Sequence, residues 1–170
     1  MILNKNLKET DSLLNVNNDI YRIISVLNKD LDLKRLLINT DFKPLIKTDK
    51  QDKEVSKKDL RDKQICRAPL LPYDEEEGSL VIVTLINGSK DFETNTLLST
   101  IAVDVFTPGN QWIINEGVRP LIIANKIDNL MKYELKQTDG VKYRLVDIVN
   151  SQLSDILIGY RLIFNTVIDE

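Results

Sequence analysis

Two apolar runs decide the fold: SLVIVTLIN at residues 79–87 and LLSTIAVDVFT at residues 97–107. The first run is rich in β-branched residues and apolar on both faces, which predicts a central strand of a sheet. The second run alternates, so that Ile101, Val103 and Val105 fall on one face of a strand. The short polar stretch between the runs leaves no room for a crossover helix. The two runs therefore predict an antiparallel hairpin.

Three further segments predict strands that extend this hairpin into a sheet. Residues 155–168 alternate, which places Leu162 on one face of a strand and Arg161 on the other. Residues 143–153 alternate less regularly and predict a neighbouring strand. Residues 65–73 contain two prolines, so they predict an edge strand or an extended entry segment.

Helical periodicity flanks the hairpin on both sides. Before it, apolar residues recur three and four positions apart at Ile20, Ile23, Ile24 and Leu27, and a second short pattern follows at Leu31, Leu33, Leu36 and Leu37. After it, Pro120 suits the first turn of a helix, because a missing N–H costs nothing there. That helix carries its apolar stripe at Ile123, Ile127, Leu130 and Met131.

The order of these elements predicts the fold class. Helix, hairpin, helix and hairpin follow one another, which predicts an α+β fold: an antiparallel sheet of four to five strands with two helices packed on one face. Residues 1–18 are polar and predict an N-terminal arm. Residues 19–170 are expected to form a single domain, with a charged insertion at about 47–63.

The insertion at residues 47–63 reads KTDKQDKEVSKKDLRDK. Its only apolar residues are Val55 and Leu60, so we expect a solvated loop or a marginal exposed helix that supplies no core face. A stretch of this kind serves binding in some domains and is a disordered insertion in others, and both interpretations stay open. Its nearly balanced charge favours contacts between identical subunits over contacts with DNA.

Composition narrows the function classes. The 170 residues carry a net charge of −3, which argues against broad electrostatic binding to nucleic acid. The chain has no His and a single cysteine, Cys66, so the common zinc sites, His-based catalytic triads and thiol redox pairs are excluded. No apolar run approaches the roughly 20 residues that a membrane helix requires. We therefore expect no cofactor and no membrane partner.

Two acidic features bear on metal chemistry. Asp74–Glu77 form an acidic turn, but consecutive carboxylates point in different directions and predict a solvated turn rather than a calcium site. Asp104 lies in a predicted strand, yet the following strand offers no Glu-x-Lys to complete a nuclease site. We therefore predict no metal site and no catalytic residue.

Three residues are candidates for a protein interface: Trp112, Arg119 and Asp104. The single tryptophan is either an aromatic anchor at an interface or a plug at the end of the core. Arg119 precedes a helix start, where the helix dipole disfavours a positive charge, so we expect a carboxylate partner in this chain or in a neighbouring copy. Asp104 is expected to face solvent or a partner.

The stretch AVDVFTPGNQWIINEGVRPLIIANKID at residues 102–128, together with GYRLIF at 159–164, resembles the bacteriophage neck and tail-completion proteins, the tail terminators. The resembling positions are Asp104, Trp112, Arg119, Pro120, Ile123, Ala124, Ile127, Asp128, Gly159, Tyr160 and Leu162. The resemblance implies a virion protein, assembled in the host cytoplasm, that forms a ring at the head–tail junction. The implied partners are copies of itself and the neighbouring connector and tail tube proteins, with genome DNA passing through without specific binding. It carries over no catalytic residue.

Two alternatives to a ring stay open. One is a non-viral adaptor module, in which residues 47–63 and the acidic turn recognise a protein partner while the chain remains monomeric. The other, less favoured, is a metal-dependent nuclease that uses Asp104 or the acidic turn Asp74–Glu77. Oligomeric state and divalent-cation binding discriminate among the three hypotheses.

Overall fold

The computed structural model describes residues 17–46, 49–67, 78–91, 96–139 and 142–167. The helices are α1 over residues 17–27, α2 Leu31–Ile38, α3 Asp49–Lys57 and α4 Arg119–Asp139. The strands are β1 Ile65–Cys66, β2 Leu80–Asp91, β3 Thr96–Pro108, β4 Ile113–Ile114, β5 Gly117–Val118, β6 Lys142–Gln152 and β7 Leu157–Val167. A short 3-10 turn, Gly109–Gln111, joins β3 to β4.

Five strands form the main sheet in the order β1-β2-β3-β7-β6, and β4 pairs with β5 in a small separate hairpin. The predicted hairpin of β2 and β3 is confirmed, with Val83 opposite Val103. The 79–87 run lies inside the sheet, since β2 has β1 on one side and β3 on the other, although β1 pairs only with Val81 and Ile82. The middle strand of the five is β3. The β1–β2 pairing is parallel, so the sheet is mostly rather than wholly antiparallel.

The α+β fold class is confirmed, and the core lies between one face of the sheet and the helices. Three helices reach this core rather than two, because α1, α2 and α4 each bury their apolar stripe there. The buried helical residues are Ile23, Ile24, Leu27, Leu33, Leu36, Leu37, Ile123, Ala124, Ile127, Leu130, Met131 and Leu135. The sheet contributes Val81, Val83, Ile101, Val103, Val105, Leu162 and Phe164, as the alternation predicts.

The charged segment that includes α3 is more firmly attached than its composition predicts. Val55 and Leu60 are both buried, so the expectation that this segment adds nothing to the core is wrong. The buried Arg35 of α2 forms an ion pair with Asp52 of α3. Asn28 accepts a 2.9 Å hydrogen bond from the Leu60 backbone N–H. Two apolar side chains and these polar links are sufficient to hold the segment against α1 and α2.

Strands β3 and β7 approach so closely at Gly159 that no side chain fits there. A Cβ atom built on Gly159 would lie 1.8 Å from the backbone oxygen of Val105 and 2.9 Å from its carbonyl carbon. Both atoms belong to the backbone of the central strand, so they cannot rotate away. Glycine at this position is therefore a requirement of the sheet.

Some predictions lie outside the described residues. Residues 1–16 of the predicted arm and the acidic turn Asp74–Glu77 are among them. The predicted arm includes residues 17 and 18, but these belong to α1. None of the helices in the ranges given above combines the length and the apolarity of a membrane span.

Candidate protein-interaction site

Trp112 lies half-buried between the 3-10 turn and β4. Its indole Nε1 donates a 3.1 Å hydrogen bond to the backbone oxygen of Thr107, at the end of β3. Its ring lies 6.1 Å from the ring of Tyr160, tilted by 34°. The aromatic pair thus lies beside the end of β3, and part of the indole stays accessible. The interface role of Trp112 stays a prediction.

Asp104 is buried on the second face of the sheet, the one opposite the helices, so the expectation that it faces solvent is wrong. Its carboxylate accepts two hydrogen bonds from Arg161 of β7, from Nε at 2.8 Å and from Nη2 at 2.9 Å. The Ser151 hydroxyl donates a third bond, at 3.1 Å. The hydrogen bonds from the guanidinium to Asp104 raise the pKa of Arg161 above its usual value. Asp104 therefore joins β3 to β7 and β6 within this chain.

Arg119 is fully buried, and its partners are not the expected carboxylate. Its guanidinium donates to the backbone oxygen of Leu36 in the last turn of α2 and to those of Asn39 and Asp41 just after the helix. Burial lowers the pKa of Arg119, and the negative charge of Asp41 opposes that change. The side chain thus fixes the start of α4 to the end of α2, and it has no surface to offer a partner.

The apolar surface at β6 is the feature that the sequence analysis missed. β6 forms one edge of the sheet, and within the described residues it has a strand neighbour, β7, on one side only. Val146 and Ile148 are 49% and 47% exposed, and Val149 is also exposed. Val146 is the extra residue of a β-bulge, since Leu145 pairs with Phe164 and Asp147 pairs with Ile163.

A cleft of about 510 Å³ lies beside α3 and the loop after it, and Ile38 at the end of α2 also lines it. Lys57, Lys58 and Lys63 line it together with Asp59. The side-chain hydrogen bond from Arg61 holds the pKa of the Asp59 carboxyl well below its usual range. The cleft therefore combines three lysines with one carboxylate that is already engaged.

The described part of the chain contains no group of three or more His, Cys, Asp or Glu side chains that could hold a metal ion. Cys66 is buried, and its Sγ–H donates to the backbone oxygen of Lys63 at 3.2 Å. Burial, and then the charge of Asp62, raises the pKa of the Cys66 thiol to about 11. Its thiolate, the reactive form, is therefore scarce at neutral pH.

The three predicted residues are not brought together into one site. Asp104 and Arg119 hold the fold, and Trp112 alone keeps an accessible surface. The model of the YomW family matches residues 30–166 of the chain. The chain belongs to the YomW family. The matched residues run from the start of α2 almost to the end of β7, so they include nearly all of the main sheet and the whole of β6.

The YomW family is of the Bacillus phage SPBc2 type, which indicates a phage origin for the chain. This agrees with the phage resemblance at the level of origin and does not extend to the tail-terminator role. No curated protein and no solved structure matches the chain.

Proposed function

We propose that this chain is a structural protein of the phage virion, a subunit of a ring at the head–tail junction. The ring, a tail terminator or a neck connector, joins the tail to the connector and lets the genome pass. Its partners are copies of itself and the neighbouring connector and tail tube proteins. The protein turns over no substrate.

One observation carries this proposal: in a chain of phage origin, the 11-residue edge strand β6 has exposed apolar side chains. Isolated exposed apolar residues are ordinary, but several on one uncovered strand edge favour a protein contact. Trp112 and Tyr160 lie close to this edge, because Tyr160 pairs with Asn150 of β6. Tryptophan and tyrosine are enriched at the centres of protein interfaces.

The charge of the chain is compatible with a channel for DNA. A net charge of −3 supplies little of the phosphate neutralisation on which tight DNA binding depends. A ring through which a genome slides functions best without such binding.

The proposal is tested in the phage by placing an amber codon in the gene. We expect non-permissive infection to yield full heads and separate tails, and a suppressor host to restore joined particles. Mass spectrometry of purified wild-type virions should detect the chain at several copies per particle. The proposal would be refuted by normal joined particles from the non-permissive infection. It would also be refuted by wild-type virions in which mass spectrometry does not detect the chain.

The lysine-lined cleft favours a second candidate, the adaptor module. Lys57, Lys58 and Lys63 would attract an acidic peptide, and the attraction would weaken with salt. In that case the chain stays monomeric and binds its partner with one-to-one stoichiometry. Sedimentation of the purified chain, with and without lysates of infected cells, separates this candidate from a ring.

A further inference from the structure

The main sheet has two edges that no described strand covers. β6 lies at one end of the strand order and pairs only with β7. At the other end, β1 pairs with β2 only at Val81 and Ile82. Within the described residues, positions 84–91 of β2 therefore pair with β3 alone. As far as the structure describes the chain, each edge presents backbone N–H and C=O groups that a further strand can satisfy.

Exposed apolar side chains occur on the same face at both edges. Leu85 of β2 pairs with Ile101, and Ile148 of β6 pairs with Leu162. Both partners belong to the core on the helix side of the sheet, so Leu85 and Ile148 point to that side. Both are exposed in the described structure.

The strand directions permit the two edges to join. β2 is antiparallel to β3, β3 to β7, and β7 to β6, so β2 and β6 run in opposite directions. When a second copy is placed beside the first in the same orientation, its β2 is antiparallel to β6 of the first copy. The antiparallel pattern then continues across the junction, and Leu85 and Ile148 come to the same face of the joined sheet.

Charge disfavours the simpler alternative, in which β6 pairs with β6 of another copy. Asp147 is the middle residue of β6, so full-length antiparallel self-pairing places it opposite its own equivalent. Like charges directly opposite each other destabilise a strand pair. Residues 84–89 of β2 carry no charge, so they impose no such repulsion on Asp147.

We propose that β6 of one copy pairs with residues 84–91 of β2 of the next copy. The paired length is roughly 27 Å at about 3.4 Å per residue. Such a contact joins two different surfaces, and repeated by rotation it closes a ring. The bulges at Ile86 and Val146 twist both edges, which favours one curved junction over indefinite flat stacking. This inference names the partner surfaces of the proposed ring and therefore rests on the proposed function.

Cross-linking of the two edges tests the pairing. In a Cys66→Ser background, the variant with both Leu85→Cys and Ile148→Cys is treated with a short bis-maleimide. The reaction is run on the purified chain and on particles from phage that carry the variant. We expect a ladder of dimers, trimers and higher species from the double variant. Each single-cysteine variant should yield no ladder.

A matched control replaces Ile148→Cys by Tyr133→Cys, an exposed position on α4 and therefore outside the strands of the sheet. This control should give less than one tenth of the cross-linked product. A second measurement uses Val149→Lys, which we expect to weaken association at least tenfold, whereas Tyr133→Lys leaves it unchanged.

Two outcomes overturn the pairing and leave the ring intact. Dimers from Ile148→Cys alone would show that β6 pairs with itself. Particles that contain the double variant without any cross-link would show that other surfaces join the subunits. A chain that is absent from particles and monomeric in solution would instead refute the proposed function together with this pairing.

Discussion

Removal of Arg161 should destabilise the protein far more than removal of its partner Asp104. The two side chains form one doubly hydrogen-bonded ion pair, yet their surroundings differ. The Asp104 side chain is 4% exposed, whereas that of Arg161 is 44% exposed. In Arg161→Ala, the buried carboxylate keeps only its bond from Ser151. In Asp104→Val, the Arg161 side chain can rotate into the solvent.

The magnitudes follow from this asymmetry. Removal of one partner from a buried pair typically costs about 3–5 kcal/mol, because the other charge is left uncompensated. Ser151 still donates one bond, so we expect about 3 kcal/mol for Arg161→Ala. Asp104→Val loses the pair but leaves an apolar side chain between Ile82 and Phe106, and should cost about 1 kcal/mol. The double variant should be more stable than Arg161→Ala alone, because no stranded charge remains.

Urea unfolding followed by circular dichroism measures these differences. With a slope of about 2 kcal/mol per molar urea, the midpoint should fall by about 1.5 M for Arg161→Ala and about 0.5 M for Asp104→Val. The double variant should have a midpoint above that of Arg161→Ala. Equal losses for the single variants, or a double variant that loses their sum, would refute the reasoning.

Three further predictions concern the fold. Gly159→Ala should cost several kcal/mol or prevent folding, because its Cβ meets the Val105 backbone, whereas Gly109→Ala, with open space around it, should change the thermal midpoint little. Folding raises the pKa of Cys66 from 9.0 to about 11. The thiol therefore contributes fully to the free energy of unfolding below pH 9, and this contribution, roughly 2–3 kcal/mol, is lost as the pH rises to 11. Cys66→Ala should lack this component of the decline in urea titrations across that range. Arg119→Lys should destabilise by about 2 kcal/mol or more in the same assay, since one ammonium cannot satisfy three carbonyls in the guanidinium geometry.

The regular elements could be predicted from sequence because their periodicity is local. The recurrence of Ile123, Ile127, Leu130 and Met131 at three- and four-residue spacing defines α4, and all four are buried. The parity of residues 155–168 likewise places Leu162 in the core. Both patterns are fixed by the geometry of a single helix or strand.

The polar contacts could not be predicted because they join segments that are distant in the chain. Asp104 and Arg161 both lie on the second face of their strands, but only the adjacency of β3 and β7 turns this into an ion pair. The burial of Val55 depends in the same way on Arg35, which holds α3 in place through Asp52. No local pattern indicates which strands or helices become neighbours.

The prediction of a carboxylate partner for Arg119 is wrong for a different reason. Its position at a helix start correctly indicates that the cation needs an anionic or polar counterpart. The counterpart is backbone, and backbone oxygens occur at every residue, so no side-chain pattern reveals them.

The same property makes the Arg119 contact unusually tolerant of mutation elsewhere. Positions 36, 39 and 41 contribute main-chain oxygens, which every amino acid supplies. Related phages could therefore exchange these three residues freely, as far as this contact is concerned, and still anchor α4. Across a diverging lineage, the arginine would be held constant while its acceptors drift, so this half of the contact would leave no covarying trace.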